Sequence, residues 1–320
     1  MQNLSRLAVL ALPVLGCVFP FPLLAQDYPT KPMRFIVGPG PDVLARLFGQ
    51  KLTESWGQQV VVDQRPAVGG MVAADAVAKA APDGHTLLLS TATYTTLMSL
   101  YSKVPYDFVR DLAPVSLLAT IPFVLVVHPS VPARSTQELI RLARARPGQL
   151  NYASSGVGST SHLAHELLNN MAGIKTVHVP YKGTVPAVID LISGQVQMML
   201  GIMQGSLPHV KAGKLRALAV SGLKPSPSAP DLPTISASGV PGFEFTSWNG
   251  VHVPAGTAKA IIAKLHAELL KILALPDVKA RMFELGLEQA GSTPEELGAL
   301  VNANIEKWGK LIRDLGVRAE

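Results

Sequence analysis

The segment Asn151–Ser161, NYASSGVGSTS, is where residue types and spacing most plainly offer chemistry. A short apolar run gives way to glycines and hydroxyl residues, and a helical pattern follows. Small residues let backbone N–H groups approach a bound molecule, and a helix start presents unpaired N–H donors with partial positive charge. Ser154, Ser155, Ser159 and Thr160 add hydroxyls, while Gly156 and Gly158 let the chain turn. An anion is the natural occupant of such a turn. The residues alone leave two readings open: a ligand-binding turn, and a self-capped strand–helix connection that holds nothing.

The same strand-end logic marks further segments. Gly38-Pro39-Gly40-Pro41-Asp42 separates the first strand from the first helix, with Asp42 placed to cap that helix. Ser90-Thr91-Ala92-Thr93 follows the third strand. In Tyr181-Lys182-Gly183-Thr184, Tyr181 can line a cleft and Thr184 can cap the next helix. Gly201 follows the strand Val196–Leu200. The candidate ligand-binding residues are therefore Gly38, Gly40, Asp42, Ser90, Thr91, Thr93, Ser154, Ser155, Gly156, Gly158, Ser159, Thr160, Tyr181, Gly183, Thr184 and Gly201.

Other chemistries fit poorly. Gly156-x-Gly158-x-x-Ser161 lacks the third glycine of a dinucleotide fingerprint and lies mid-chain. His162-Leu163-Ala164-His165-Glu166 has neither order of a helical zinc protease motif. Ser154 or Ser159 with His162 is the only start of a nucleophile–base set, and no acidic third member is suggested. No catalytic residue, metal or cofactor is expected. The net charge of +6 suits an acidic small molecule. Lys and Arg are scattered, and the densest stretch, Arg141–Arg146, falls late in a helical pattern where cations complement the helix dipole, so nucleic acid is not an expected partner.

The elements that must position these residues alternate regularly. Met33–Val37, Gln59–Val62 and Thr86–Ser90 read as strands, separated by helical patterns at Val43–Trp56 and Gly70–Ala81. That order requires a parallel sheet with right-handed crossovers. A second unit repeats it. Its strands are Phe123–His128, Leu150–Ala153, Thr176–Val179, Val196–Leu200 and Leu215–Val220, and its helices are Ser135–Ala145, Ser161–Ala172, Val185–Ser193 and Leu207–Ala212. Pro225–Pro241 is a loop, Phe245–Val253 a strand, and the C-terminus is helical over Ala258–Ala274, Pro276–Leu285 and Thr293–Leu315. Packing those last helices on the first unit makes the chain cross twice between two α/β lobes, near Phe123–Val127 and Phe245–Val251, which is a two-strand hinge. The expected division is 26–124 plus 249–320 for lobe 1 and 125–248 for lobe 2.

Residues 1–25 read as a secretory signal peptide, with Arg6 before a long apolar run and cleavage near Ala25, so export to the periplasm is expected. The single cysteine, Cys17, lies in that segment. Val14-Leu15-Gly16-Cys17 weakly matches a lipoprotein box, an alternative that would leave an apolar stretch on the mature chain.

Several ordered segments resemble the Bug family, the extracytoplasmic solute receptors of tripartite tricarboxylate transporters. They are Asp27–Pro32 (DYPTKP), Val61–Pro66 (VVDQRP), Ala80–Gly84 (AAPDG), Leu150–Gly156 (LNYASSG), His178–Gly183 (HVPYKG), Leu207–His209, Gly213–Arg216 and Asp231–Thr234. The resemblance covers the mature chain. It implies a two-lobe, type II-like periplasmic-binding-protein fold, each lobe a mostly parallel sheet flanked by helices, and capture of a small carboxylated metabolite for transporter subunits by a monomer. A sensor partner and an exported hydrolase acting on acidic substrates are the alternatives. Against relatives, the Gly38–Asp42 loop looks trimmed, and Gly201 stands where a polar or acidic residue is common.

Overall fold

The computed structural model describes residues 28–38, 42–65 and 70–318; the signal-peptide reading, Cys17 and the candidate Gly40 lie outside these residues. The first strand–helix repeat is β1 (Met33–Val37), α1 (Val43–Trp56), β2 (Val60–Gln64), α2 (Met71–Ala78), β3 (Thr86–Thr91) and α3 (Thr93–Leu100). Strand β1 pairs in parallel with β2 and β3, as the alternation requires. Helix α1 ends where Gly57 adopts a left-handed conformation and its N–H reaches the Thr53 carbonyl, the stop that the sequence marks.

The second repeat follows a long strand, β4 (Leu112–Val127): α4 (Thr136–Ala145), β5 (Asn151–Ser154), α5 (Thr160–Ala172), β6 (Val177–Pro180), α6 (Thr184–Ser193), β7 (Met198–Ile202), α7 (Met203–Lys211) and β8 (Arg216–Val220). The chain then returns through β9 (Thr246–Pro254), α8 (Lys259–Ala274), α9 (Pro276–Glu284), the short β10 (Glu288–Gln289) and α10 (Pro294–Leu315).

Strand β4 belongs to both sheets. Its first part, Leu112–Pro122, runs antiparallel to β9, and its last part, Phe123–Val127, runs antiparallel to β7 and β8. The outer strands of each lobe are parallel, β2-β1-β3 in one and β6-β5-β7 in the other. The central strands join them antiparallel, so each sheet is mixed, with a parallel outer part. The result is a two-lobe α/β fold.

Each sheet is covered on both faces. In the first lobe, Phe35, Phe48, Leu52 and Leu265 pack under α1 and α8, and Ile36, Tyr94, Phe108 and Trp248 pack on the opposite face. In the second lobe, Phe123, Tyr152 and Leu168 fill one face and Val124, Val188 and Met199 the other. Helix α10 serves both lobes. Its first half puts Leu297 and Val301 into the first lobe's core, and its end puts Trp308, Leu311 and Ile312 into the second lobe's core. Leu100, at the end of α3, joins that second core too.

Candidate functional site

Every parallel strand feeds a helix at its C-terminal edge, so the helix starts of both lobes gather along one edge of each sheet. Two adjoining cavities lie there and share Thr93 and Ile202. The larger, about 480 Å³, has the Ser155–Ser161 turn, Gly183 and Thr184 on one side and Thr93, Leu97, Leu100 and Tyr101 from α3 on the other. The smaller, about 160 Å³, lies against the first lobe, with Gly38, Val43, Leu44, Thr91 and Tyr94 in its walls. Helices α1, α3, α5, α6 and α7 all contribute first-turn residues to these walls.

The turn before α5 holds itself in shape. Gly156 and Gly158 have φ of 136° and 72°, values that favour glycine. Ser159 is the N-cap: its Oγ accepts from the His162 N–H at 3.3 Å and donates to the Gly156 carbonyl at 2.7 Å. Ser161 Oγ accepts from the Ser155 N–H at 2.9 Å and lies 3.1 Å from both Ser155 Oγ and Ser159 Oγ. The Gly183 N–H donates to the Ser155 carbonyl at 3.2 Å, which ties the start of α6 to the same turn. Neither α5 nor α6 carries an acidic residue in its first turn. Two helix starts with their positive ends intact therefore converge on one cavity.

Behind the turn lies an aromatic stack that sequence reasoning did not foresee. The His162 and His178 rings are 3.9 Å apart at 9°, and Tyr152 stacks on His165 at 3.8 Å. His162 Nδ1 accepts the Gly158 N–H at 3.0 Å, and His178 Nε2 meets Ser154 Oγ at 2.6 Å. Burial holds both imidazoles neutral, each pushed down to about 4, with the neighbouring His162 adding to the effect on His178. The stack's two contacts fix the backbone of the turn from below.

Thr91, Thr93, Ser155, Gly156, Gly158, Ser159, Thr160, Gly183, Thr184 and Gly38 all line the two cavities. Other candidates are placed elsewhere. Ser90 is fully buried and donates to the Gly250 carbonyl, with His252 Nδ1 at 2.8 Å, so it braces β3 against β9. Ser154 is also fully buried: it contacts both the N–H and the carbonyl of Gly156 besides His178, and so shapes the turn from within. The Tyr181 hydroxyl donates to Asp190 at 2.8 Å and does not line either cavity. Asp42 occupies the N-cap position of α1, but its carboxylate pairs with Arg46 at 2.5 Å and makes no capping hydrogen bond. Thr184 is the first residue of α6 and Gly183 its cap, so the expected Thr184 cap is not formed. Gly201 sits inside β7 opposite Val124, and a Cβ there would lie 2.8 Å from Ser206 Oγ. A side chain at 201 would meet α7, which corrects the expectation of a contact with ligand.

Residues missed from the sequence include Tyr94, Ile202, Gln204, Ser247 and Asn249. Gln204, just after β7, carries the strand-end signal that marked the others. Ser247 and Asn249 lie on the hinge strand β9, where no strand-end rule applies.

The wider comparisons agree with this architecture. Protein BugT of Bordetella pertussis is 35% identical over 324 residues, covering 99% of each chain. A solved structure described as R. palustris Rpa4515 with adipate superposes with a TM-score of 0.82 at 36% identity, covering 91% of this chain and 99% of that one. MatC (Rpa3494) from Rhodopseudomonas palustris with bound malate superposes with a TM-score of 0.77 at 31% identity, covering 89% of this chain and all of that one. The pattern of the tripartite tricarboxylate transporter family receptor, TctC, matches residues 44–317, and the chain belongs to that family of solute receptors.

Proposed function

We propose that this protein captures a small organic carboxylate in the cleft between its lobes and presents it to membrane subunits of a tripartite tricarboxylate transporter. The observation that carries this reading is the pair of acid-free helix starts, α5 and α6, facing one cavity across from α3. Recognition would come from backbone N–H groups of the first turns and the hydroxyls of Ser155, Thr160 and Thr184, because none of the described residues that line either cavity is charged. In this reading the lobes are 26–124 with 249–320, and 125–248, with exceptions at the joints: Leu100, Phe123, Val124 and the end of α10 pack in the second lobe, and Trp248 packs in the first. Closure of the lobes follows from the ligand's contacts with both of them. Residues 1–25 direct the chain to the periplasm, the setting named for a similar solved structure, periplasmic binding protein BugD.

The site binds and does not catalyse in this reading. The Ser–His pair behind the turn, Ser154 with His178, is sealed: Ser154 is fully buried and its oxygen is engaged by the Gly156 backbone. His162 Nδ1, the nearest base to Ser159 in sequence, is taken by the Gly158 N–H. An activated nucleophile needs both a free base and access to a substrate; Ser154 has no access, and the nearest base to Ser159 in sequence is already engaged.

Thr160→Asp tests the reading on the mature protein. An acid at the first position of α5 favours the helix by about 0.3–1 kcal/mol, while it repels an anion at the same helix start. Screening mono- and dicarboxylates by thermal shift should give stabilisation of about 2.7 kcal/mol at a hundredfold excess over Kd. Thr160→Asp should abolish that gain and leave the ligand-free transition unchanged or higher. Undiminished ligand stabilisation in the variant, or consumption of a hit compound by the wild type, would sink the proposal.

A further inference from the structure

The hinge ribbon has two faces, and the ligand cleft uses one of them. Residues directly opposite each other in β4 and β9 point to the same side, and successive residues alternate between sides. The opposed pairs are Thr120 with Trp248, Ile121 with Ser247, and Pro122 with Thr246. Ile121 and Ser247 line the smaller cavity of the cleft. Thr120, Pro122, Thr246 and Trp248 line a third cavity, of about 630 Å³, on the reverse side, with Ser247 contributing to both. The walls of this reverse cavity come from both lobes: Lys224 from the loop after β8, Glu288 from β10, and Asn304 and Lys307 from α10. Its volume is that of a small-molecule pocket.

The floor is apolar even though polar side chains form it. Asn304 Oδ1 accepts from Trp308 Nε1 at 2.8 Å and from Trp248 Nε1 at 3.4 Å, and Asn304 Nδ2 donates to the Leu300 carbonyl at 2.9 Å. With those atoms engaged, the two buried indoles offer ring carbons to an occupant. The rim carries charges of both signs, unlike the cleft. Lys307 Nζ donates to the Glu244 carbonyl at 3.2 Å and lies 4.7 Å from the Trp308 ring centre. Glu288 Oε1 accepts from Ser226 Oγ at 2.6 Å. That leaves the Lys224 ammonium and the Glu244 carboxylate, which no described residue engages. One cation and one anion above an apolar floor complement a molecule that carries both charges beside an apolar group.

We infer that this cavity is a second small-molecule site and that its ligand is a zwitterion with an apolar side group, of the class of the aromatic and branched-chain amino acids. The ammonium meets Glu244, the carboxylate meets Lys224, and the side group rests on the floor of Trp248 and Trp308. The inference does not depend on the carboxylate reading of the cleft.

Calorimetric titration of the mature protein with L-phenylalanine, L-tryptophan and L-leucine tests it. Each is run beside its N-acetyl derivative, which lacks the cation, and its amide, which lacks the anion. At least one of the amino acids should bind, and both of its derivatives should bind at least about threefold more weakly, the scale of an exposed ion pair. Glu244→Gln should erase the preference over the N-acetyl form, and Lys224→Met the preference over the amide. Ala303 is an exposed residue of α10 that lines the cavity. Ala303→Trp fills the space and should weaken binding at least about tenfold, or about 1.4 kcal/mol. No binding by any of the amino acids overturns the inference, as does equal binding of both derivatives. Binding that survives Ala303→Trp but is lost in Thr160→Asp places the amino acid in the cleft and overturns it too.

Discussion

Gly158 is held from two sides, and the two effects can be separated. Its φ of 72° is one that an L-residue adopts at a cost of about 1–2 kcal/mol. A Cβ built there would also lie 2.7 Å from Leu100 Cδ1 and 3.0 Å from Cδ2, so α3 presses directly on the turn before α5. Overpacking of that kind costs about 1–3 kcal/mol where the neighbour cannot move, and Leu100 is only 5% exposed in the second lobe's core. Gly158→Ala should therefore destabilise by about 2–5 kcal/mol in urea titrations. Leu100→Ala alone should cost about 2–5 kcal/mol, as a truncated core leucine does. In the Leu100→Ala background the clash is gone, and Gly158→Ala should cost only the backbone part, about 1–2 kcal/mol. The double-mutant cycle should then show a coupling of about 1 kcal/mol or more. Equal cost of Gly158→Ala in both backgrounds would refute the contact between α3 and the turn. Ligand affinity measured on the same variants adds the functional half: a turn pushed off Leu100 shifts the N–H groups at the start of α5, so Gly158→Ala should bind more weakly and the double variant should recover part of the loss.

Two further outcomes follow from buried polar groups. His162 and His178 are pushed down to about 4, and His165 and His252 to about 3, chiefly by burial, against an ordinary value near 6.5. Between those limits the unfolded chain binds more protons than the folded one, so stability is complete above pH ~6.5 and falls steadily as pH drops toward ~4; thermal unfolding from pH 7.5 to 4.5 measures this, and a flat profile would contradict the neutral, buried stack. Ser221 Oγ accepts from the Phe123 N–H at 2.7 Å and donates to the Phe245 carbonyl at 2.5 Å, joining the entry of β9 to β4 where both leave the second lobe. Ser221→Ala strands two buried backbone groups at about 1–3 kcal/mol each, so a loss under about 1 kcal/mol in urea titration would show that the hinge does not depend on this link.

The strand–helix alternation was legible because each element carries its own signal. Met33–Val37 and Val43–Trp56 match β1 and α1 in the structure, and Gly57, Gly173 and Gly194 stop their helices in left-handed conformations. The two crossings between the lobes were also legible; what lay hidden was the first part of β4, Leu112–Pro122, and helix α3. Strand β4 contains Pro114 and Pro122, residues that argue against a continuous strand. The pairing with β9 accommodates Pro114 through the register shift at Pro114/Ser116 and ends at Pro122, so only Phe123–His128 read as a strand. Helix α3, TYTTLMSL, is rich in β-branched threonine with weak helix propensity, and forms because Tyr94, Leu97 and Leu100 are buried against other elements. The site divided along the same line. Strand-end glycines and hydroxyls were found; Tyr94 on the unseen helix and Asn249 on the hinge were not.

The hidden parts are also the ones that couple the lobes. An opening motion about β4 and β9 must slide α10 against at least one of its two cores, because Val301 is anchored in one lobe and Trp308 in the other. It must also draw Leu100 away from Gly158. The helix α3 that walls the ligand cavity is therefore the one whose tip packs into the opposite lobe, and α10 lies along that crossing. Thr93 and Thr160, which both line the larger cavity, fall on the two sides of this joint. In the proposed closure, a ligand held by both would draw α3 and the α5 turn together, the same approach that seats Leu100 in the second core. Closure and ligand capture, as proposed, would use one set of contacts, and a substitution at Leu100 should then weaken binding without touching the ligand's carboxylate.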